Sequence, residues 1–187
     1  IGGGFGNKQD VLRAPLCAWG CLQVGGRAVK LDTTREETFV SQRVRHAMQI
    51  KVTAWLRPAG TFAARKYESY SDQGGYASHG HTIAAKAMNC FHELYQCPNV
   101  EGDTWTVYTN KPTSGAMRGY GIPQAMWPGE GHIDDICRQF GFDPLDYRLK
   151  MIMADGHVNK FSGNENYFDS PRQTLLAGAE AFGFRQL

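Results

Sequence analysis

The sequence predicts an α+β fold, in which small, mostly antiparallel sheets carry packed helices in a two-layer arrangement. Apolar and polar residues alternate from Met48 to Leu56, which is the period of a half-buried strand. Apolar residues between Ile83 and Leu94 instead recur at steps of four and three, the period of a helix face. The sequence has no evident internal repeat, low-complexity tract or linker, so these strands and helices are expected to form one unit.

Composition and charge limit the class of protein. The 187 residues are 42% hydrophobic and 20% charged, which is typical of a globular chain and not of a disordered or fibrous one. The net charge of +2 is spread along the chain, so we expect no nucleic-acid partner, and the apolar runs are too short for a membrane span. The chain begins with Ile1 directly before a glycine loop, which favours a piece of a longer protein.

The cysteines are predicted to be free thiols. They are odd in number and irregularly spaced, no signal peptide precedes them, and no partners stand at zinc-finger spacing. This pattern favours a reducing compartment and therefore a cytoplasmic location. The five residues are Cys17, Cys21, Cys90, Cys97 and Cys137.

The N-terminal part predicts a helix, a strand and a second helix start. Apolar residues at 11–22 share one helix face, and Gly25-Gly26 ends this helix, although Pro15 falls inside it. Residues 28–32 (AVKLD) are predicted to form a short strand. Residues 33–37 (TTREE) contain two overlapping capping boxes, which predict the start of a short helix or turn.

The middle of the chain predicts a hairpin, a helix and a third strand. The strand at 48–56 is followed by the turn signal at 58–60, so residues 61–72 are expected to return antiparallel to it. The helix that comes next stops before Pro98. Residues 104–109 are rich in β-branched and aromatic side chains and are predicted to form a strand.

Proline governs the prediction for the C-terminal helices. A helix face spans residues 123–140, but Pro128 removes one backbone hydrogen bond at a cost of about 3 kcal/mol. The regular helix is therefore expected to begin after Gly129, with Trp127 turned into loop packing beside Tyr120. Further helices are predicted at 143–149 and 175–182, with irregular chain at 155–170.

The densest signal for a ligand is the glycine loop at residues 2–8, GGGFGNK. Glycines at this density let backbone amides approach an anionic or oxo group closely. A dinucleotide fingerprint is disfavoured, because Asn7 occupies the third glycine position and no acidic residue follows about 20 positions later. A P-loop is disfavoured because the Gly-Lys-Ser/Thr triplet is missing. A plain turn before a helix is the remaining structural alternative.

A second glycine-rich loop lies at residues 109–124, between a predicted strand and a predicted helix. Its phrase AMRGYGIPQ is one of five that follow one another in order along nearly the whole chain. Together they resemble the molybdenum-binding subunit of the xanthine dehydrogenase and aldehyde oxidase family, most closely the bacterial type with a separate molybdenum polypeptide. The phrases are IGGGFGNK at 1–8, TREE at 34–37, RH at 45–46, AMRGYGIPQ at 116–124 and DPLDYRLK at 143–150.

The resemblance implies the cofactor, the reaction and the partners. The cofactor would be molybdenum with molybdopterin or molybdopterin cytosine dinucleotide. The reaction would be water-derived hydroxylation of a carbon beside a ring nitrogen, as in xanthine or hypoxanthine, or of an aldehyde. Electrons would leave through iron–sulfur clusters to FAD on partner subunits or segments. Residues 1–187 would then be part of a molybdenum cofactor-binding domain that is incomplete at both ends.

The resemblance also assigns the cofactor-binding residues. The backbone at Phe5 and Arg118 would lie next to the molybdenum, and Gly3, Gly4 and Gly6 would provide clearance. This use agrees with the physical expectation that closely approaching amides can stabilise negative charge without a particular side chain. The two loops are therefore expected to lie on the same side of the molecule and to face each other across a cleft.

Three positions bear on the substrate. Tyr120 falls where the family has an aromatic ring that meets the heterocycle, and its hydroxyl adds a polar group. Gln9 falls where purine-oxidising members carry a glutamate, and Lys86 falls where they carry an arginine. Neither replacement supplies the same charge or bidentate geometry. An aldehyde or other N-heterocycle hydroxylase, and a nonenzymatic remnant of the family, therefore stay open, as does a solvent-facing role for Lys86.

Other polar groups have simpler interpretations. His79-Gly80-His81 is expected to be a loop pair without a metal, Arg45-His46 to pack and hydrogen-bond at a strand start, and Asp134-Asp135 to be solvated. The family's catalytic glutamate belongs to a motif farther downstream, and no acid in this sequence matches it. We therefore assign no catalytic residue to these 187 residues, and they show no iron–sulfur cysteine pattern.

Overall fold

The computed structural model describes residues 3–6, 8–167 and 169–186, so Gly2 and Asn7 of the glycine motif lie outside the described residues. Its mixed composition of helices around one small sheet confirms the predicted fold class. The strands are β1 (Met48–Leu56), β2 (Phe62–Gly74) and β3 (Val100–Tyr108). The helices are α1 (Ala14–Gln23), α2 (Arg35–Ser41), α3 (Gly80–Phe91), α4 (Ile122–Phe140), α5 (Pro144–Met151) and α6 (Ser170–Phe182), followed by a 3-10 turn at Phe184–Gln186.

The sheet has the order β1-β2-β3, with β2 in the middle. β1 and β2 form the predicted antiparallel hairpin, in a register that pairs Met48 with Ser71. β3 pairs with β2 in parallel, with Arg65 opposite Val100. The parallel pair follows from the chain order, because α3 carries the chain back across the sheet between β2 and β3. The sequence predicted mostly antiparallel pairing, and it did not predict the crossover helix or the parallel pair.

The core lies between the sheet and the helices α3, α4 and α5. One apolar cluster is centred on Phe62, Ile133 and Tyr147, and the Tyr147 hydroxyl donates to the Gly60 carbonyl at 3.0 Å. A second cluster joins Tyr67 of β2 to Phe91 of α3 and to α4. Helices α3 and α4 are thereby fixed against one face of the sheet, and the loops at their N-terminal ends come close together.

The predicted strand at residues 28–32 is wrong. These residues form no strand and connect α1 to α2 without a ladder partner. A short alternating segment becomes a strand only where the edge of another strand pairs with it. The strands of this sheet pair among themselves in the order β1-β2-β3 and leave residues 28–32 without a strand partner. The capping box is confirmed, because Thr34 and Glu37 bond reciprocally at the start of α2. Pro15 is tolerated because it lies in the first turn of α1.

The predicted interruption at Pro128 is also wrong. Helix α4 runs continuously through this proline. Packing offsets the lost hydrogen bond, because Gly129 lies against the Phe91 ring and Ile133 is fully buried on the same helix. Trp127 is 85% exposed, so it does not pack beside Tyr120 as expected. In the described part of the chain, no helix is long and apolar enough to cross a bilayer.

Candidate functional site

The first loop (residues 3–6 and 8–10) contains backbone φ angles that residues other than glycine rarely adopt. Gly3 and Gly6 have φ values of 69° and 107°, and Phe5 itself has a φ of 49°. A Cβ at Gly3 would lie 2.6 Å from the Phe5 ring, so the ring folds back over the glycine backbone. Among the residues that the structure describes, Phe5 and Tyr120 are the non-glycine residues with positive φ. Such strain is concentrated at functional sites.

The second loop lies directly against the first. It comprises residues 109–121 in the structure, because α4 begins at Ile122. A Cβ at Gly6 would be only 2.3 Å from the Ala116 carbonyl oxygen, so the two backbones touch at this glycine. The Arg118 guanidinium lies over the Phe5 ring, 5.9 Å from its centroid. The prediction that the two loops lie on the same side of the molecule is therefore confirmed. The prediction that they face each other across a cleft is wrong, because their backbones are in direct contact and the described lining of the cleft beside the first loop includes no residue of the second.

Arg45 holds the second loop in position. Its Nη2 donates to the carbonyl oxygen of Arg118 at 2.7 Å, and its Nη1 donates to Oε1 of Gln124 at 3.2 Å. Gln124 in turn donates through Nε2 to the carbonyl oxygen of His46 at 3.3 Å. The Arg45-His46 pair therefore has the hydrogen-bonding role expected for it. His46 is buried, and this burial lowers the pKa of its imidazole.

A buried arginine that the sequence did not single out connects the two loops. Arg43 is 5% exposed and forms an ion pair with Asp10 at the end of the first loop. Its side chain also lies beneath Gly115, where a Cβ would be 2.0 Å from Arg43 Cδ. Burial lowers the pKa of Arg43. The pattern QRVRH offered no local signal for this role, because the partners lie far away in the sequence.

The second loop is also tied to the end of β2. The Ser114 amide donates to the Gln73 carbonyl, and Gln73 Nε2 donates to the Ser114 carbonyl, both at 2.9 Å. The Asp72 carboxylate accepts from Thr109 Oγ1 at 2.6 Å and from Lys111 Nζ at 2.7 Å. These bonds lower the pKa of Asp72, the one to Lys111 most strongly. The sheet therefore fixes the start of the second loop.

Tyr120 has a partner that sequence reasoning missed. Its hydroxyl lies 2.9 Å from Nδ1 of His79, immediately before α3, and the two rings meet edge to face. His81, in contrast, is exposed. The expectation that both histidines lie in a loop is wrong, because His79 is the N-cap of α3 and His81 lies in its first turn; the contact of His79 with Tyr120 was not predicted.

The structure does not bring Gln9 and Lys86 into contact with Tyr120. Gln9 is exposed. Lys86 lies two helical turns beyond His79 on α3, about 10 Å along the helix axis. Its side chain is 44% exposed and lies 3.8 Å from a Glu93 carboxylate oxygen. Of the three candidate substrate positions, Gln9 and Tyr120 lie on the two touching loops, where the Gln9 amide donates to the Gly6 carbonyl at 3.4 Å, whereas Lys86 lies on α3.

A cleft of about 710 Å³ opens beside the first loop, which is in the size range of small-molecule sites. Gly3, Gly4 and Phe5 form one side, and the charged residues Lys8, Asp10 and Arg13 also line it. A Cβ at Gly4 would meet nothing closer than 3.9 Å, so its backbone is open to a ligand. The clear backbone at Gly4 fits the close approach of a large cofactor such as a pterin phosphate.

The protein side chains themselves do not form a metal centre. Within residues 3–6, 8–167 and 169–186, no group of three or more His, Cys, Asp and Glu side chains could hold a metal ion. The five cysteines are all free thiols.

Comparison with known proteins identifies the family. The model of the molybdopterin cofactor-binding domain matches residues 1–152, which include both loops. The chain belongs to this family. The putative xanthine dehydrogenase molybdenum-binding subunit XdhA of Escherichia coli K12 is 38% identical over 97% of the chain and 24% of its own length. The resemblance to the xanthine dehydrogenase and aldehyde oxidase family, predicted from five phrases, is thus confirmed.

Two further relatives have different names. The nicotinate dehydrogenase large molybdopterin subunit of Eubacterium barkeri is 36% identical over 79% of the chain and 35% of its own length. The crystallised aldehyde oxidoreductase of Desulfovibrio gigas superposes with a TM-score of 0.86 at 28% identity, over 95% of the chain and 19% of that protein. The chain spans about a quarter of the length of the Escherichia coli subunit that it resembles.

Proposed function

We propose that this chain is a portion of a molybdenum hydroxylase that oxidises a purine such as xanthine or hypoxanthine by water-derived hydroxylation. The observation that carries the proposal is the contact of the two glycine loops at Gly6 and Ala116. Phe5 and Tyr120, the residues with strained backbones, lie one on each loop. The identity to a xanthine dehydrogenase subunit supports the choice of a purine over other substrates.

In this proposal the backbone of the two loops binds the cofactor, which is molybdenum with molybdopterin or molybdopterin cytosine dinucleotide. When bound, that group supplies the redox centre that takes electrons from the substrate. Gly3, Gly4 and Gly6 allow the backbone to approach it, and the backbone at Phe5 and Arg118 lies beside its metal. Arg45 holds the Arg118 carbonyl, which keeps this backbone in place.

In this proposal Tyr120 packs against the substrate ring, and Gln9 and Lys86, neither of which contacts Tyr120 in this structure, act at more distant edges of the substrate site. For Lys86 to reach a substrate, its side chain has to turn away from Glu93. That ion pair is long and partly exposed, so breaking it costs little, on the order of 1 kcal/mol or less. The proposed electron acceptors are iron–sulfur clusters and FAD on partner subunits in the cytoplasm.

We propose further that residues 1–187 all belong to one cofactor-binding domain. The ion pair between Arg185 and Asp146 supports this, because it joins the 3-10 turn after α6 to α5, which lies inside the matched region.

A different N-heterocycle or an aldehyde is the second candidate substrate. Gln9 and Lys86 replace the residues of purine-oxidising members, and relatives named for nicotinate and for aldehydes share the fold or the sequence. A nonenzymatic remnant would keep the loop contact without binding molybdenum.

The test is metal analysis and a substrate panel on the full-length subunit assembled with its partner subunits. We expect about one molybdenum per subunit and faster oxidation of hypoxanthine than of nicotinate or benzaldehyde. Preference for nicotinate or benzaldehyde would select the second candidate. Absence of molybdenum from the intact, cofactor-supplied complex would instead select the remnant.

The role of Lys86 has a test of its own. Lys86→Ala should raise KM for hypoxanthine about tenfold, because it removes one charged hydrogen bond, while molybdenum content stays unchanged. Lys51→Ala is the matched control, since Lys51 is also an exposed lysine with a weak glutamate contact, at 3.7 Å. Equal kinetics for the two variants would return Lys86 to the solvent-facing alternative.

A further inference from the structure

The orientation of the Tyr120 ring is fixed from two directions. Its backbone has a φ of 49° between two glycines of positive φ, Gly119 and Gly121. Its hydroxyl lies 2.9 Å from His79 Nδ1, and the ring centroids are 6.0 Å apart at an interplanar angle of 75°. Both ends of the side chain are therefore held, and the ring is not free to turn with each ligand.

His79 is itself held by the end of the sheet. The next residue, Gly80, is so close to Gln73 that a Cβ would lie 1.4 Å from its Oε1. The same Gln73 side chain donates to the carbonyls of Tyr76 and Ser114 at 3.1 and 2.9 Å. One glutamine thus packs against the start of α3 and hydrogen-bonds to the second loop. The contact between His79 and Tyr120 links the start of α3 to the second loop at the residue proposed to face the substrate ring.

A phenol hydroxyl has one hydrogen to donate and can also accept. The imidazole uses one of these two capacities, so the other remains for a ligand. A phenylalanine at this position would present only an apolar ring. The pair therefore adds a directed hydrogen-bonding group beside an aromatic surface, which suits a flat ring that carries polar atoms at its edge.

We propose that His79 is a positioning residue that orients the Tyr120 hydroxyl, and that this hydroxyl selects oxygen-bearing nitrogen heterocycles over aldehydes without such a ring. The inference deepens the proposed function and rests on it. Nothing in the sequence pattern suggested it, because His79 and Tyr120 are 41 residues apart. His79 touches neither the reacting carbon nor the cofactor in this assignment. It acts only through the tyrosine.

The test is a double-mutant cycle in the full-length, molybdenum-loaded enzyme. Tyr120→Phe and His79→Leu should each lower kcat/KM for hypoxanthine about tenfold, the effect of one well-placed hydrogen bond. Tyr120→Phe removes the hydroxyl, and His79→Leu removes the group that orients it. Because both variants lose the same interaction, kcat/KM of the double variant should also fall about tenfold and not about a hundredfold. The kcat/KM for benzaldehyde should change less than about twofold.

Binding provides a readout that does not depend on turnover. The Kd of hypoxanthine, measured by calorimetry on the cofactor-free subunit, should rise about tenfold in both single variants. His79→Asn keeps a polar atom near the position of Nδ1 and should restore most of the affinity. His81→Leu changes the exposed histidine of the same turn and should have no effect.

The possible results separate the two proposals. If the loaded wild-type enzyme oxidises hypoxanthine and the His79 variants are normal, the positioning role is wrong and the proposed function stands. If both substrates lose activity equally, or the double variant falls about a hundredfold, His79 and Tyr120 do not act as a selective pair. If the loaded wild-type enzyme oxidises no heterocycle, the proposed function fails and this inference fails with it.

Discussion

The two glycine-rich loops meet at Gly6 and Ala116 but are supported differently. The second loop is hydrogen-bonded to β2 through Ser114 and to the segment before β1 through Arg45. The contacts of the first loop include Gly6 against Ala116 and the ion pair of Asp10 with Arg43, which itself lies under the second loop. The second loop is therefore part of the scaffold, and the first loop depends on it.

This difference indicates a division of work at the site. A loop built into the sheet and α3 can fix the position of a substrate-facing ring such as Tyr120. The first loop, which packs against the second, can form one wall of an open cleft and contact a large cofactor. Substitutions in the second loop should therefore affect stability, and substitutions in the first should affect cofactor retention.

The largest effect is expected for Gly121→Ala in the second loop. Gly121 has a φ of 98°, and a Cβ would lie 2.5 Å from the Ile83 carbonyl oxygen on α3. Strain and overpacking together should lower the free energy of unfolding by about 3 kcal/mol in urea denaturation of the full-length subunit. Gly131→Ala in α4 meets nothing within 4 Å and should stabilise by roughly 1 kcal/mol. Equal stabilities would mean that α3 does not fix the second loop.

The next effect is expected for Arg45→Ala, which removes the bonds to the Arg118 carbonyl and to Gln124. Charged hydrogen bonds of this kind contribute about 2 kcal/mol. Amide hydrogen exchange at residues 116–121 of the full-length subunit should accordingly accelerate about thirtyfold. Arg27→Ala, at an exposed arginine between α1 and α2, is the control. Unchanged exchange in the Arg45 variant would show that β2 alone supports the loop.

A smaller effect, on cofactor retention, is expected for Gly6→Ala. The new methyl group would displace the first loop from Ala116 by overlapping its carbonyl. We expect about tenfold less molybdenum in the purified subunit, with an unfolding free energy within about 1 kcal/mol of the wild type. Gly26→Ala is the matched control, because Gly26 also has a positive φ, 84°, but lies outside both loops, and a Cβ there would meet nothing within 4 Å. If both variants retain molybdenum equally, the loop contact is not needed for the cofactor.

The smallest effect concerns the helix under the second loop. Burial, with the nearby Arg65 guanidinium, lowers the pKa of His92 at the end of α3 to about 3. Between pH 6.5 and 3 the unfolded chain therefore binds a proton that the folded chain does not, so stability falls as the pH falls. From pH 6.5 to 5.5 this loss is about 1 kcal/mol.

The variant His92→Phe should remove this part of the pH dependence, measured by urea denaturation at the two pH values. His81→Leu serves as the exposed control. A pH dependence that is the same in the wild type and in His92→Phe would contradict the assignment.

Much of the fold was predictable because its signals are local. The alternation along β1, the capping box at Thr34 and the helix face of α3 each depend on residues within one or two turns of each other. The glycine motifs are local in the same sense, since positive φ is a property of single residues. The strand at residues 28–32 failed for the opposite reason, since a strand exists only with a partner.

Local sequence patterns were enough to predict the two glycine loops, the family phrases that contain them and most of the regular elements. Tertiary structure alone decided that α4 continues through Pro128, that Arg43 joins the loops through Asp10, and that His79 meets Tyr120. In each of these cases the deciding partner is distant in sequence, and the free energy of the contact outweighs or redirects a local preference. Local patterns specify which backbone shapes are available, and burial and long-range contacts select among them.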